Sequence, residues 1–403
     1  TIEVNKIAPV SGGTSVTMGD SGDTFTVTSG ATFNASSSNL ANRPNALPII
    51  INGDMAISQR STSVTGDTAG GYLTCDRIRP SFANIGTYTF IQESLTSGNA
   101  FANGFTKAFR LDCTTADASP AAGDYFYLAY KMEGNNLQAF KKGTANAQKM
   151  TLAFWVKSNK TGTAQVNMND QDNTRMCSGT YTISSANTWE HKIINIAADT
   201  TGAFDNDNAN SMQIEWWLDG GSNFQGGTVP TAWEARTNPD RGVSDLAIAD
   251  STSNDFAITG IQLEVGEYTS STIPPFQHES FGDNLERCER YYQVIGTGTR
   301  ADNKMYYSAY NVDGTSTMFG TFNFRTTMRA EPSLDQTSGT NYYTFNCNNA
   351  SDDFDGVNGI RGGIHGTLLY LSGGSSVGSS NAGMGGSVLG KDASSHVALS
   401  SEL

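Results

Sequence analysis

Along most of the chain, apolar and polar residues alternate with a period of two, and turn residues interrupt them every few positions. That alternation predicts strands with one face inward. Residues 125–132 read YFYLAYKM, which puts Phe126, Leu128, Tyr130 and Met132 on one face. Residues 151–157 read TLAFWVK, with Leu152, Phe154 and Val156 facing one way and Trp155 the other. In residues 212–219, MQIEWWLD, the inward set is Met212, Ile214, Trp216 and Leu218. Another strand is predicted over 189–197. No helical period separates these runs, which argues against βαβ units. Residues 46–280 therefore read as a β-sandwich or jelly roll.

Residues 296–403 repeat the texture. Strands are predicted over 305–311, 317–326, 342–347, 367–371 and 387–390, with a hairpin signal at Asp313-Gly314 and a mobile Gly/Ser-rich loop over 372–386. A second, smaller C-terminal β-sandwich is the natural reading. The segment between the two changes character twice. It begins as a strand with Ile261, Leu263 and Val265 on one face and Gln262 and Glu264 on the other. It crosses Pro274-Pro275 and ends in one short helix from Asp283 to Gln293, within a connector over 281–295. Asp283 reads as its cap and Glu286 as the capping-box partner. Glu286 and Arg290 are spaced for a surface pair. Leu285, Cys288 and Tyr292 share a face. A helix this short is unstable alone, so that face is expected at a domain or oligomer junction, against a neighbouring domain or sister helices near a threefold axis.

Residues 1–45 form an extended N-terminal β segment whose short runs each present one or two apolar groups. One copy cannot bury enough surface to offset chain entropy. It is expected to be ordered by oligomerisation or by docking, as an attachment segment.

Composition narrows the function. Gly numbers 43 and charged residues are only 16%, which suits strands and turns. The formal net charge of -14 argues against nucleic acid and against anionic lipid. No apolar run approaches the roughly 20 residues of a membrane helix. The N-terminus lacks the pattern of a secretory signal, and a start at Thr1 implies removal of an initiator Met. Cys75, Cys113, Cys177, Cys288 and Cys347 are widely spaced and read as buried free thiols, in keeping with assembly in a reducing cytoplasm.

Candidate chemistry is sparse. His191, His278, His365 and His396 stand in no nucleophile context, so no catalytic residue is assigned. A carboxylate pair for glycan cleavage needs a separation of roughly 5–9 Å that sequence does not give. The acidic clusters at Asp170, Asp205 and Asp352 suggest solvated turns. Trp216 and Ile364 stand where a calcium loop needs its closing Glu, so no metal ligand or cofactor is assigned. Aromatics are the better ligand candidates, because sugar C–H faces stack on flat rings while hydroxyls need polar partners. Trp217 faces opposite Trp216, and Trp233 lies in a loop beside Glu234 and Arg236. These four are the predicted ligand-binding set.

Several blocks also carry a resemblance. IIINGDMAISQRSTSV (49–64), GGYLTCDRI (70–78), MTLAFWVKSNKTGT (150–163), FAITGIQLEVGEYTSSTIPPFQHESFGDNLERCERYYQ (256–293), NFRTTMRAEPSL (323–334) and the final LSSEL together resemble tail-fibre and receptor-binding virion proteins of tailed bacteriophages. In the second block Ile78 stands where an aromatic is usual. The resemblance implies a non-enzymatic virion component, mainly β. It has a carbohydrate-binding-like jelly roll and a smaller C-terminal sandwich. It implies a homotrimer fixed by its N-terminus to a tail or adapter protein, contacting a host-surface glycan or protein. A glycan-degrading, tailspike-like enzyme and a purely structural decoration are the alternatives.

Overall fold

The computed structural model describes residues 47–299, 305–313, 317–348, 350–374 and 380–403. By its internal contacts the chain divides between Asn42 and Arg43, and all described residues belong to the second unit. The predicted N-terminal segment lies outside the described residues, as does Gly314 of the hairpin signal.

The protein is mainly β. Twelve strands come first: β1 (Ser63–Asp67), β2 (Arg79–Ala83), β3 (Thr87–Ser94), β4 (Lys107–Thr115), β5 (Tyr125–Glu133), β6 (Met150–Ser158), β7 (Gly162–Asp170), β8 (Arg175–Ile183), β9 (Glu190–Ile196), β10 (Asn210–Gly220), β11 (Glu234–Ala235) and β12 (Asp255–Val265). A short helix α1 (Gly98–Ala102) lies between β3 and β4. The strands form two six-stranded sheets, ordered β1-β3-β4-β12-β6-β9 and β11-β8-β7-β10-β5-β2. Their neighbours pair antiparallel. The two inner faces meet as a jelly-roll-like sandwich. The inward sets expected of β5, β6 and β10 all lie in its core.

Strand β12 departs from simple alternation. Phe256 and Ile258 face the core, and so do Ile261, Leu263 and Val265. The odd spacing is absorbed by a register shift between Thr259 and Gln262. Gly260 sits there at φ +61°, where a Cβ would come within 2.7 Å of Phe105. Only glycine meets both demands.

A helix, α2 (Phe281–Glu289), and ten strands follow: β13 (Tyr292–Thr297), β14 (Met305–Asn311), β15 (Met318–Asn323), β16 (Ser333–Gln336), β17 (Tyr343–Cys347), β18 (Ala350–Phe354), β19 (Gly356–Gly362), β20 (Gly366–Ser372), β21 (Gly385–Gly390) and β22 (His396–Ser400). A three-stranded sheet, β13-β22-β16, packs on a seven-stranded one, β18-β17-β21-β14-β15-β20-β19. Val397, Leu399, Phe345, Leu369 and Val388 are among the side chains of this second core.

The helix corrects the sequence reading in three ways. Its cap is Ser280, which accepts from the Asp283 N–H at 3.2 Å and donates to the Asp283 carboxylate at 2.7 Å. Ser280 is thus the cap and Asp283 a first-turn acid bonded to it, and the helix starts earlier than predicted. Arg290 turns away from the exposed Glu286 and binds Glu133 instead. Tyr292 lies beyond the helix in β13, so it shares no helical face with Leu285 and Cys288. The buried face is completed by Tyr291. Cys288 and Tyr291 pack with Ile51 and Ile57, with Leu285 and Leu403 alongside, all within one chain.

Candidate functional site

Two places concentrate polar chemistry. One is the junction between the sandwiches, built from segments far apart in sequence. Its foundation is the turn Asn52-Gly53-Asp54-Met55. Asn52 adopts φ +59°, which Asn tolerates better than most residues. Its side chain accepts from Ile57 N at 2.9 Å and donates to Ile57 O and Asp76 O, each at 2.9 Å. Gly53 lies against β12, where a Cβ would sit 2.2 Å from Ile261 O. Asn52 N donates to Asn284 of α2 at 3.1 Å, which ties the turn to the helix.

Buried charges complete this junction. Arg77 is 1% exposed. It pairs with Glu402 beyond β22, donates to Lys131 O at 2.7 Å, and lies 3.5 Å from the centre of the Tyr291 ring. Arg60 also reaches Glu402, at 3.3 Å, and lies 3.5 Å over Tyr292. Glu133 at the end of β5 is fully buried and accepts from Arg290 at 2.8 and 2.6 Å and from the Tyr291 hydroxyl. Burial opposes its charge, but these bonds hold its carboxyl below the usual range. Asp76 is pushed up to about 6 by burial, in spite of bonds from Gln59. Arg329 donates to Ser401 O at 2.7 Å and to Asn208 O at 3.0 Å, bridging both sandwiches. A cleft of about 670 Å³ opens beside this network, lined in part by Leu47, Ile49, Asn135, Gln138, Arg287 and Arg290.

The second place is the outer face of the sheet β11-β8-β7-β10-β5-β2. Alternation directs Ala164, Val166 and Met168 of β7 into the core, so Gln165, Asn167 and Asn169 face outward. On β10 the outward set is Gln213, Glu215 and Trp217. Glu215 accepts from Arg241 at 2.8 Å, Gln213 at 2.7 Å and Trp217 Nε1 at 3.0 Å. Burial opposes its charge, yet Arg241 and these bonds keep its carboxyl below the usual range. Residues 222–242 cross this face. Gln165 and Asn167 donate to the carbonyls of Asp240 and Arg241, each at 2.7 Å. Asn169 is fully buried, and neither its amide nitrogen nor its oxygen has a hydrogen-bond partner. Further along the same face, beside Trp217, Tyr125 and Tyr127 are half-buried and stacked, with centroids 5.6 Å apart. Tyr127 in turn leans on Trp217 at 5.2 Å.

The predicted ligand set is thereby corrected. Trp217 is fully buried beneath Gly242, Phe224 and Arg241, so its ring is not available to stack on a sugar. Trp233 is also buried; its Nε1 donates to Ala197 O at 2.7 Å and its ring covers the Lys142 ammonium at 4.6 Å. Glu234 is exposed on β11, and Arg236 bonds Gln171 at 3.1 Å. Strands β7 and β8 lie between β10 and β11, so the four do not form one site. Sequence reasoning missed Tyr125 and Tyr127. Their signal was the outward phase of the same YFYLAYKM run whose inward phase was read.

Around Lys142, which is 4% exposed, stands a cage of oxygens. Its ammonium binds Asp170, Asp199 at 3.0 Å, and the carbonyls of Gly202 and Thr201 at 2.6 and 3.4 Å. Asp170, from one of the acidic clusters considered for calcium, thus neutralises a lysine of the same chain.

No protein-family model matches this chain, and no curated protein does. Among solved structures, the enzymatically active domain of bacteriophage CBA120 tailspike protein 4 is 13% identical, over 54% of this chain and 21% of that one, with a TM-score of 0.27. This chain therefore spans about a fifth of that tailspike. A family 11 carbohydrate-binding module from Clostridium thermocellum, solved with a mixed-linked tetrasaccharide, is 9% identical over 50% of this chain and 98% of its own, with a TM-score of 0.26. TmCBM61, solved with β-1,4-galactotriose, is 7% identical over 55% and 99%, with a TM-score of 0.25. At these values the likenesses carry no argument about function.

Proposed function

We propose that this chain is a structural component of a tailed-bacteriophage virion, a tail fibre fixed to the tail or an adapter through residues 1–45. On this reading it assembles in the host cytoplasm as a homotrimer. It contacts a host-surface glycan through its β-domains and does not cleave it. One observation carries the reading. Five of the six blocks that resemble such fibres, at 49–64, 70–78, 256–293, 323–334 and 399–403, contribute side chains or backbone to one buried junction, while 150–163 supplies β6 of the first sandwich. Blocks scattered over the chain therefore share one physical task, which is to hold two sandwiches as a single body. A fibre that transmits contact from tip to tail needs such stiffness.

The glycan contact is proposed for the outer face beside Tyr125 and Tyr127. Half-buried stacked rings near the Glu215 carboxylate and the Arg241 guanidinium match the demands of a sugar, apolar on its faces and polar on its rim. The virion role is tested by gold-labelled antibodies against this chain on tailed phage particles that carry it. Label on the tail fibres is expected. Label confined to the capsid, or absent from intact particles, would overturn the reading.

A further inference from the structure

The first sandwich gathers a nucleophile, an electrophile and a second carboxylate around one nitrogen. Lys142 lies in the connection from β5 to β6, Asp170 closes β7, and Asp199 follows β9. Their side chains are 1%, 0% and 4% exposed. Lys142 Nζ contacts Asp170 Oδ2 and stands 3.0 Å from Asp199. The rings of Phe204 and Trp233 face that nitrogen, with centroids at 5.1 and 4.6 Å, and keep water from it. Asn173 holds the Asp170 carboxyl. Its backbone N–H donates to Oδ1 at 3.0 Å, and its side-chain amide donates to Oδ1 at 3.2 Å and to Oδ2 at 3.0 Å. Every group that condensation of an amine with a carboxyl requires is therefore in place.

We propose that Lys142 and Asp170 join in an amide bond, so that the chain carries an intramolecular isopeptide. The ion pair described above is the reactant state. Nζ attacks the Asp170 carboxyl carbon, the C–N bond forms, and the bond from that carbon to Oδ2 breaks. Two protons pass from the ammonium to Oδ2, which departs as water, and no other reactant is needed. Asp199, on the same nitrogen, relays one of these protons. Oδ1 takes the negative charge of the tetrahedral intermediate, and both Asn173 donors already point at it, as an oxyanion hole requires. The one N–H left on the amide keeps Gly202 O as its acceptor, 2.6 Å from the nitrogen in the reactant. Two physical terms favour the reaction. Held contact between the partners replaces a bimolecular encounter with an effective molarity of about 10⁵–10⁸ M. Burial penalises two ions far more than one neutral amide. The bond clasps residues 28 positions apart in a chain whose five cysteines are all unpaired.

The test is the intact mass of the full chain after denaturation, followed by mapping of its proteolytic peptides. A chain one water lighter than its sequence is expected, with a branched peptide that joins Lys142 to Asp170. Asp170→Ala should return the full mass. Asp199→Asn should slow formation of the bond at least about a hundredfold, read as growth of the lighter fraction with time in the folded protein. An unchanged rate in that variant would overturn the role of Asp199 as relay. A wild-type chain still at full mass after prolonged incubation, with its fold checked by circular dichroism, would overturn the proposal. A lost water mapped elsewhere, such as a succinimide at Asp219-Gly220, would overturn it too.

Discussion

Replacing Lys142 with Met is expected to destabilise the first sandwich by roughly 3–5 kcal/mol, the usual cost of removing one partner from a buried ion pair. The ammonium is held by Asp170 and Asp199, both essentially inaccessible. Met fills the stem's space but leaves Asp170 and Asp199 with no ammonium between them. Arg175, at 2.9 Å, then remains as the guanidinium partner of Asp199, while Asp170 keeps only neutral donors such as Asn173. The Tm measured by calorimetry should fall by about 10 °C for a unit of this size. The wild-type network also has a pH signature. Burial alone would raise Asp199, but bonds from Arg175, Thr201 and Lys142 bring it down to about 2. A carboxyl depressed on folding stabilises the protein above its ordinary value of 3.8, and that contribution is lost as pH falls from there towards about 2. An unchanged Tm in Lys142→Met would show that the cage contributes nothing net.

Arg77→Met should be nearly as costly and should act on a different property. Arg77 joins Lys131 of β5, the Tyr291 ring after α2 and Glu402 after β22. Without it the Glu402 carboxylate keeps Arg60 as its one cationic partner among the described residues. A loss of roughly 3–5 kcal/mol is expected. The sharper readout is cooperativity. The wild-type pair of sandwiches is expected to melt in one transition, and the variant in two, with the C-terminal sandwich melting first. A single transition at a lower temperature would mean that Arg77 supports the first sandwich without coupling it to the second. Asp76, raised to about 6, works in the opposite sense. Its burial costs stability once it ionises, so this part of the junction gains as pH falls from about 6 towards 3.8.

The fold was legible where alternation was clean. The YFYLAYKM, TLAFWVK and MQIEWWLD runs placed their inward residues correctly because a period of two leaves no freedom once one face is buried. Legibility failed where a backbone irregularity intervened. In β12 the inward set Ile261, Leu263 and Val265 was read correctly, but the bulge at Gly260, which brings Phe256 and Ile258 into the same core, was not read. The helix boundary was misplaced because both Ser280 and Asp283 suit a cap, and only three-dimensional geometry shows which one accepts. The site was less legible than the fold. Trp217 does point away from the sandwich core, as its phase requires, but the chain folds residues 222–242 over it. Outward therefore did not mean exposed. The charges at Lys142, Glu133 and Glu215 sit in runs that read as half-polar surface. Their partners lie far along the chain, so pairing could not be read locally. The blocks resembling phage fibres were visible as words, but the meeting of five of the six at one junction appears only in space.

The claim that this chain binds surface glycan without cutting it is most directly tested by incubating the full-length protein with polysaccharide from the host envelope. Retention on the polysaccharide and release of reducing ends should be followed together. The account predicts retention with no new reducing ends, and at least about a tenfold weaker retention for Tyr127→Ala, since loss of a stacked ring typically costs more than 1 kcal/mol. New reducing ends, or retention unchanged by Tyr127→Ala, would contradict it.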